Sequence, residues 1–219
     1  MTPQQLDLTA RIHTLRLELL DTFRPADPWL ALRGREAVKR ALIVAAAGNH
    51  SALLFGCRRG LDGVPALAET VGLTFRAAEL CKCGNYADPV LPCNCKVWQI
   101  QRHVAKVRPA DYEILVDCYP PTERELTGGR PGTTLEDARQ RIQRAQDFKA
   151  TGQGLTDLDE CSMALLHQYV SELAPSQSEL EATRRVARTV ADLESRPEIA
   201  PHCLSEAIQY SPAGRWRRL

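Results

Sequence analysis

Cys81-Lys82-Cys83-Gly84-Asn85-Tyr86-Ala87-Asp88-Pro89-Val90-Leu91-Pro92-Cys93-Asn94-Cys95 holds four of the eight cysteines of the chain. They fall as C-x-C, nine residues, C-x-C. The span between them carries Gly84, Asn85, Asp88, Pro89 and Pro92, which is turn chemistry and not the interior of a regular element. Such turns fold the chain back and bring two short thiolate arms together, an arrangement that holds zinc in a closed tetrahedron with sulfurs about 2.3 Å from the metal. A local disulfide pair and four unpaired thiols are the competing readings. C-x-C is also a tighter arm than the common C-x-x-C, which leaves more room for backbone N–H groups to face sulfur. His103 is another donor, but it lies eight residues into the next helical pattern. Cys81, Cys83, Cys93 and Cys95 are therefore the expected ligands of one structural Zn2+ ion.

Composition bounds what surrounds the cluster. The chain is 44% hydrophobic and 25% charged with a net charge of +1, which fits a soluble globular protein without a global nucleic-acid signature. No apolar run approaches the length of a membrane span, and the opening Met1–His13 lacks a basic region leading into an apolar segment. A cytoplasmic address is the expectation, and clustered cysteines there favour metal over disulfides. Of the 28 basic residues, five are lysine, and arginine is the better fork for phosphate and carboxylate.

Working outward, 73–80 reads as a strand running into the cluster. Residues 96–107 read as a helix with Val97, Ile100 and Val104 inward. Further upstream, 5–23 shows helical spacing of Leu8, Ile12, Leu15, Leu19 and Phe23, followed by Trp29, Leu30 and Leu32 as linker anchors. A helix over 34–47 buries Val38, Ala41, Leu42 and Ala45 and stops at Gly48-Asn49, with His50 as a turn residue. The apolar run 51–56, the glycine-bearing loop 57–63 and a helix over 64–71 have the layout of a phosphate-binding loop. Its chemistry is absent. The loop ends in Asp62-Gly63 where lysine and a hydroxyl would serve phosphate and magnesium, and a carboxylate there repels phosphate. Only Arg58 and Arg59 remain to attract an anion, and a plain surface turn is the simpler reading. A third strand spans 113–119, with Cys118 as a core residue and not a nucleophile. Three strands joined by helical crossovers predict a small parallel sheet covered by helices.

After 121 the chain becomes helical. Capping-box patterns open helices at Thr122/Glu125, Thr133/Glu136 and Ser176/Glu179, with a further helix over 157–173 using Leu158, Cys161, Leu165, Tyr169 and Leu173, and a last one over 201–209. Arg184, Arg185 and Arg188 are expected largely outward, and His13, His167 and His202 fall in separate helices that suggest no histidine site.

Three blocks carry a family resemblance. Gly34–Leu42 through Ala45–Gly56 is similar to the opening of the ATPase core of the ComM/YifB proteins, the magnesium-chelatase-like branch of the AAA+ ATPases. Cys81-x-Cys83-Gly84-x-Tyr86-x-Asp88 through Cys93-x-Cys95 and Gln99-Ile100-x-Arg102 resembles their cysteine segment and following helix, and 185–193 with 204–210 resembles their C-terminal helical subdomain. The resemblance implies a ring-forming ATPase ancestry, in which one branch drives branch migration on DNA and chelatase relatives power metal insertion into a porphyrin. It also exposes departures. Asp62 and Gly63 replace the phosphate-binding pair, one short helix over 64–72 stands where an acidic magnesium-binding strand belongs, and Glu113 and Ser178 fall where arginines are expected. Phosphoryl transfer needs lysine, metal and arginines together.

The expected fold is α/β: a truncated AAA+-like core with a small parallel sheet, a cysteine-cluster loop and a C-terminal helical lid. The segments are 1–32 as N-terminal helix and linker, 33–121 as core with the zinc loop 81–95, 122–211 as lid-like subdomain, and 212–219 as basic tail. The expected function is that of a non-enzymatic, zinc-stabilised interaction protein docking on a related ring ATPase, another protein or itself, with no nucleotide and no membrane. The alternative is a DNA-binding accessory module, with Lys96, Arg102, Lys106, Arg108, Arg184, Arg185, Arg188, Arg215, Arg217 and Arg218 as contacts.

Overall fold

A computed structural model describes residues 27–128, 132–155 and 157–215. The helix expected over 5–23 lies outside the described residues, as do Arg217, Arg218 and the side chain of Arg215. In chain order the elements are α1 (Pro28–Ala31), α2 (Glu36–Gly48), β1 (Ala52–Gly56), α3 (Arg58–Leu61), α4 (Val64–Thr70), β2 (Phe75–Glu79), α5 (Val97–Val104), β3 (Ile114–Cys118), α6 (Glu123–Thr127), α7 (Leu135–Ala150), α8 (Glu160–Leu173), α9 (Gln177–Leu193), α10 (Pro201–Tyr210) and α11 (Pro212–Arg215). No helix among the described residues is long and apolar enough to cross a membrane.

The sheet is parallel with order β2-β1-β3, and Ala52 aligns with both Phe75 and Ile114. Ala-Leu-Leu-Phe-Gly is buried at every position because β1 is central and covered on both faces, which is why it reads as a continuous apolar run. Alternation then divides the sheet. Leu54, Ile114 and Val116 join a large core with α2, α9 and α10, including Leu42, Val186, Val190 and Leu204. Leu53, Phe55 and Leu115 point the other way into a small core completed by Leu80 and Val107. The sheet and the C-terminal helices thus share one apolar core, an arrangement consistent with an AAA+-like core and helical C-terminal region.

Helix α2 is buried nearly all round because alanine-rich faces let neighbours approach on every side; even Lys39 is buried, its ammonium 2.8 Å from Glu36. Arg40 forks onto both Glu206 oxygens, tying α2 to α10. Three sequence boundaries shift. The capping box of α7 is Thr134 with Asp137, while Thr133 bonds Glu36 instead. Helix α8 starts after Asp159, whose carboxylate takes the Ser162 N–H at 2.6 Å, so Ser162 and Tyr169 are buried and Cys161 is exposed. Helix α5 ends at Val104. Its expected inward Val97 is 71% exposed, and its inner edge is supplied by half-buried Ile100 and Val104.

Candidate metal centre

The end of β2 delivers Cys81 into the core beside Leu80, whose N–H is held by the Gly56 carbonyl at 3.1 Å. The chain then turns at Gly84, which adopts φ +81°, and its carbonyl accepts the Arg58 N–H at 2.7 Å. The second turn is locked by Asp88, whose Oδ1 accepts the N–H groups of Val90 and Leu91, both at 2.9 Å. The Leu91 N–H in the first place, with Val90 and Arg59, outweighs desolvation and holds that carboxyl below the usual carboxylate range. These turns return Cys93 and Cys95 to the first pair.

The four sulfurs form one cluster, each within 4.8 Å of the others. Cys81 Sγ lies 3.3 Å from Cys83 Sγ and 3.7 Å from Cys93 Sγ, and Cys83 lies 3.5 Å from Cys93. All are too long for a disulfide, and the eight cysteines are free. Sulfurs about 2.3 Å from a central zinc would sit roughly 3.8 Å apart, so the cage is close to the required size. Backbone donors complete it. Cys81 accepts the Tyr86 N–H at 3.2 Å, and the N–H groups of Asn85, Cys95 and Cys83 face Cys83, Cys93 and Cys95 respectively. The tight C-x-C arms still leave room for a backbone N–H on Cys81, a contact of the kind that steadies a metal-bound thiolate.

Electrostatics point the same way. The Asn85 N–H, then the Cys81 thiol, lower Cys83 to about 6. The Cys95 N–H favours the Cys93 thiolate, but desolvation and the Cys83 and Cys81 sulfurs outweigh it and push Cys93 up to about 12. One thiolate forms readily; four form together only with a cation among them. The donor set can coordinate a metal ion. His103 takes no part: its Nε2 lies 3.0 Å from the Glu79 carbonyl, at the end of β2.

The loop over 57–63 is joined to this cluster by the Arg58 N–H on the Gly84 carbonyl. It is a one-turn helix and not a surface turn, with Gly60 and Leu61 buried. A Cβ at Gly60 would collide with the Cys118 carbonyl, so the backbones touch there. Four of its N–H groups are used internally: Arg58 on the Gly84 carbonyl, Gly60 on Cys57 Sγ, Leu61 on the Cys57 carbonyl and Asp62 on the Arg58 carbonyl. Arg35 forks from beneath onto the Asp62 and Arg59 carbonyls at 2.6 and 2.9 Å. Arg58 and Arg59, the two expected anion attractors, pair with Glu79 at 3.1 Å and Asp88 at 3.0 Å.

The basic residues divide. Arg102 and Lys106 of the α5 region share an open groove of about 310 Å³ with Lys82 and Trp98, while Lys96 and Arg108 are exposed outside its lining. Arg185 is bound to Glu113, its Nε at 3.0 Å. Arg188, expected largely outward, is largely buried: it bonds Asp192 at 3.0 Å and the Leu155 carbonyl at 2.7 Å, and also holds the Pro197 and Arg196 carbonyls. It clamps the end of α9 to the following loop, so it is no nucleic-acid contact. Arg184 is exposed with interactions of its own.

Two groups escape linear reading. His50, taken as a turn residue, is buried, with Nδ1 2.6 Å from Glu113 and Nε2 2.9 Å from Thr189 Oγ1. Burial pushes its pKa below the ordinary imidazole value despite Glu113. Burial raises Glu113 in turn, but hydrogen bonds from Arg185 and His50 prevail and hold its carboxyl low. His202 meets Glu194 at 2.8 Å and Cys203 at 3.4 Å, but Arg196 already neutralises Glu194 at 3.1 Å, leaving an incomplete donor set.

Residues 133–211 match the family model described as magnesium chelatase, subunit ChlI C-terminal, less than half of the chain. No curated protein matches the sequence. The partial match points to a distant relation with the magnesium-chelatase and ComM-like ATPases, carried by the helical C-terminal region.

Proposed function

We propose that this chain is a non-catalytic interaction module, derived from a ring ATPase by loss of its nucleotide machinery and stabilised by one structural zinc. One observation carries the non-enzymatic reading. The N–H groups of Arg58, Gly60, Leu61 and Asp62, in the loop where a nucleotide phosphate would be cradled, are already hydrogen-bonded within the protein. Phosphate recognition depends on such groups being free and convergent. Asp62 adds a negative charge, and the Arg35 fork fills the loop from below. The zinc is read from the four-sulfur donor set, a closed site with no position for an activated water.

Docking on a protein, either a related ring ATPase or a second copy, is supported by exposed apolar side chains on α8. Met163 and Val170 lie two turns apart on one face and are each 41% exposed. Calorimetric titration with ATP and magnesium tests the reading, with no saturable heat expected. Micromolar binding would overturn it. Light scattering across concentrations tests self-association.

A further inference from the structure

A second set of donors lies in the turn between α9 and α10. Glu194 follows the last residue of α9, and His202 and Cys203 fall in the first turn of α10. One ring nitrogen carries both contacts. His202 Nε2 lies 2.8 Å from Glu194 Oε2 and 3.4 Å from Cys203 Sγ, and the three donor atoms are within 4.8 Å of one another. No placement of protons serves that nitrogen well. If it donates to the carboxylate it has no lone pair for the thiol, and if it accepts from the thiol it turns that lone pair on the carboxylate. A proton relay through imidazole uses the two ring nitrogens separately, as His50 does between Glu113 and Thr189. Here oxygen, nitrogen and sulfur converge on one point, and a cation there takes a lone pair from each. The turn is held for it: Arg188 binds the Arg196 and Pro197 carbonyls, the Ile199 carbonyl accepts the Ser162 hydroxyl at 3.0 Å, and Cys203 is fully buried in the large core. Glu194 and His202 reach solvent, which gives an ion a way in.

We propose that Glu194, His202 and Cys203 form a second metal site, which binds one divalent ion of the zinc type and leaves its fourth position to water or a small ligand. Three donors are one fewer than a closed cage needs, and a mixed oxygen, nitrogen and sulfur set suits zinc better than magnesium or calcium. Tetrahedral zinc needs about 3.4 Å between oxygen and nitrogen and about 3.6 Å between nitrogen and sulfur, so the first contact opens by about 0.6 Å, between two exposed side chains. Arg196, 3.1 Å from the same Glu194 oxygen, is the competing cation; exposed pairs contribute little, and it gives way. The Cys203 thiol releases its proton to solvent as the ion enters. The site uses no residue of the cysteine cage or of the exposed α8 face and rests on neither reading.

Equilibrium dialysis of the full chain, holding its first zinc, against Co2+ tests this, because a cobalt–thiolate bond adds a charge-transfer band. One cobalt per chain with that band is expected. His202→Gln is expected to weaken binding roughly a hundred-fold or more. Arg196→Gln is expected to tighten it about two- to five-fold by removing the competing cation, which a purely structural ion pair would not do. His202 is exposed, so His202→Gln keeps its melting temperature without cobalt, and this is measured as a control. In a Cys93→Ser background the band is expected to persist and then to vanish with His202→Gln, which separates failure of this site from failure of the cysteine cage. No cobalt bound at about 100 μM free ion overturns the proposal. Binding without the thiolate band, or undiminished binding in His202→Gln, also overturns it.

Discussion

The two faces of the sheet are held by different physics. On one, Leu54, Ile114 and Val116 meet α2, α9 and α10, and fully buried residues such as Leu42, Val186, Val190 and Leu204 form a continuous core. On the other, Leu53, Phe55 and Leu115 form a smaller core with Leu80 and Val107, covered by the partly buried Ala78, Tyr86, Val104 and Tyr112. Beyond this small core lies a fifteen-residue loop in which only Cys81 and Gly84 are buried while Val90 and Leu91 face water, as do Val97 and Trp98 of the helix that follows. Ordering each residue costs about 1–2 kcal/mol, and apolar burial offsets that only where it occurs. The first face can hold itself by burial. The second needs the sulfur cluster, with the Arg58–Glu79 and Arg59–Asp88 pairs as minor help, because exposed ion pairs contribute little.

The strongest way to break this contrast is to remove a ligand. Cys93→Ser is expected to abolish metal binding and raise amide exchange across 81–107 by roughly a hundred-fold or more, while 177–210 stays protected. Exchange mass spectrometry checks it; uniform deprotection would mean that the two faces are one unit. The reciprocal experiment is Leu204→Ala. This residue is fully buried, and its truncation should cost about 2–5 kcal/mol in global denaturant unfolding while leaving the metal content unchanged.

Acid probes the joint between the sheet and the C-terminal helices. His50 and Glu113 both have folded pKa values below their ordinary ones, so each contributes stability that is complete at neutral pH. His50's share is expected to be lost as pH falls from about 6.5 through its lowered folded value. Glu113's goes below about 4.5 by the same rule. Melting temperature against pH reads both steps, and Glu113→Gln should cost about 1.5–3 kcal/mol at neutral pH and remove the lower one. The smallest effect is at Trp98: replacing this exposed ring by alanine should change stability by less than about 0.5 kcal/mol.

Much of this was legible in the sequence, for physical reasons that differ by element. β1 and β3 showed as apolar runs, and Thr122/Glu125 and Ser176/Glu179 capped their helices because a capping box is a local hydrogen-bond exchange. Thr133/Glu136 misled because Thr134/Asp137 fits the same pattern one residue later. Val97 misled because apolarity does not say whether a helix face finds a partner. The four-cysteine cluster was visible in its spacing, whereas the His50–Glu113–Thr189 contact spans 63 and 139 residues and no local period encodes it. Arg188 looked like a surface charge because the carbonyls it bonds are backbone groups, which carry no sequence signature.

The central claim is that a metal holds the cysteine face together. Elemental analysis of protein purified under reducing conditions without added metal, paired with thiol titration, tests it most directly. The account predicts close to one zinc per chain, with Cys81, Cys83, Cys93 and Cys95 shielded from alkylation until a chelator is added. Less than about 0.2 zinc per chain with those four thiols freely reactive would contradict it.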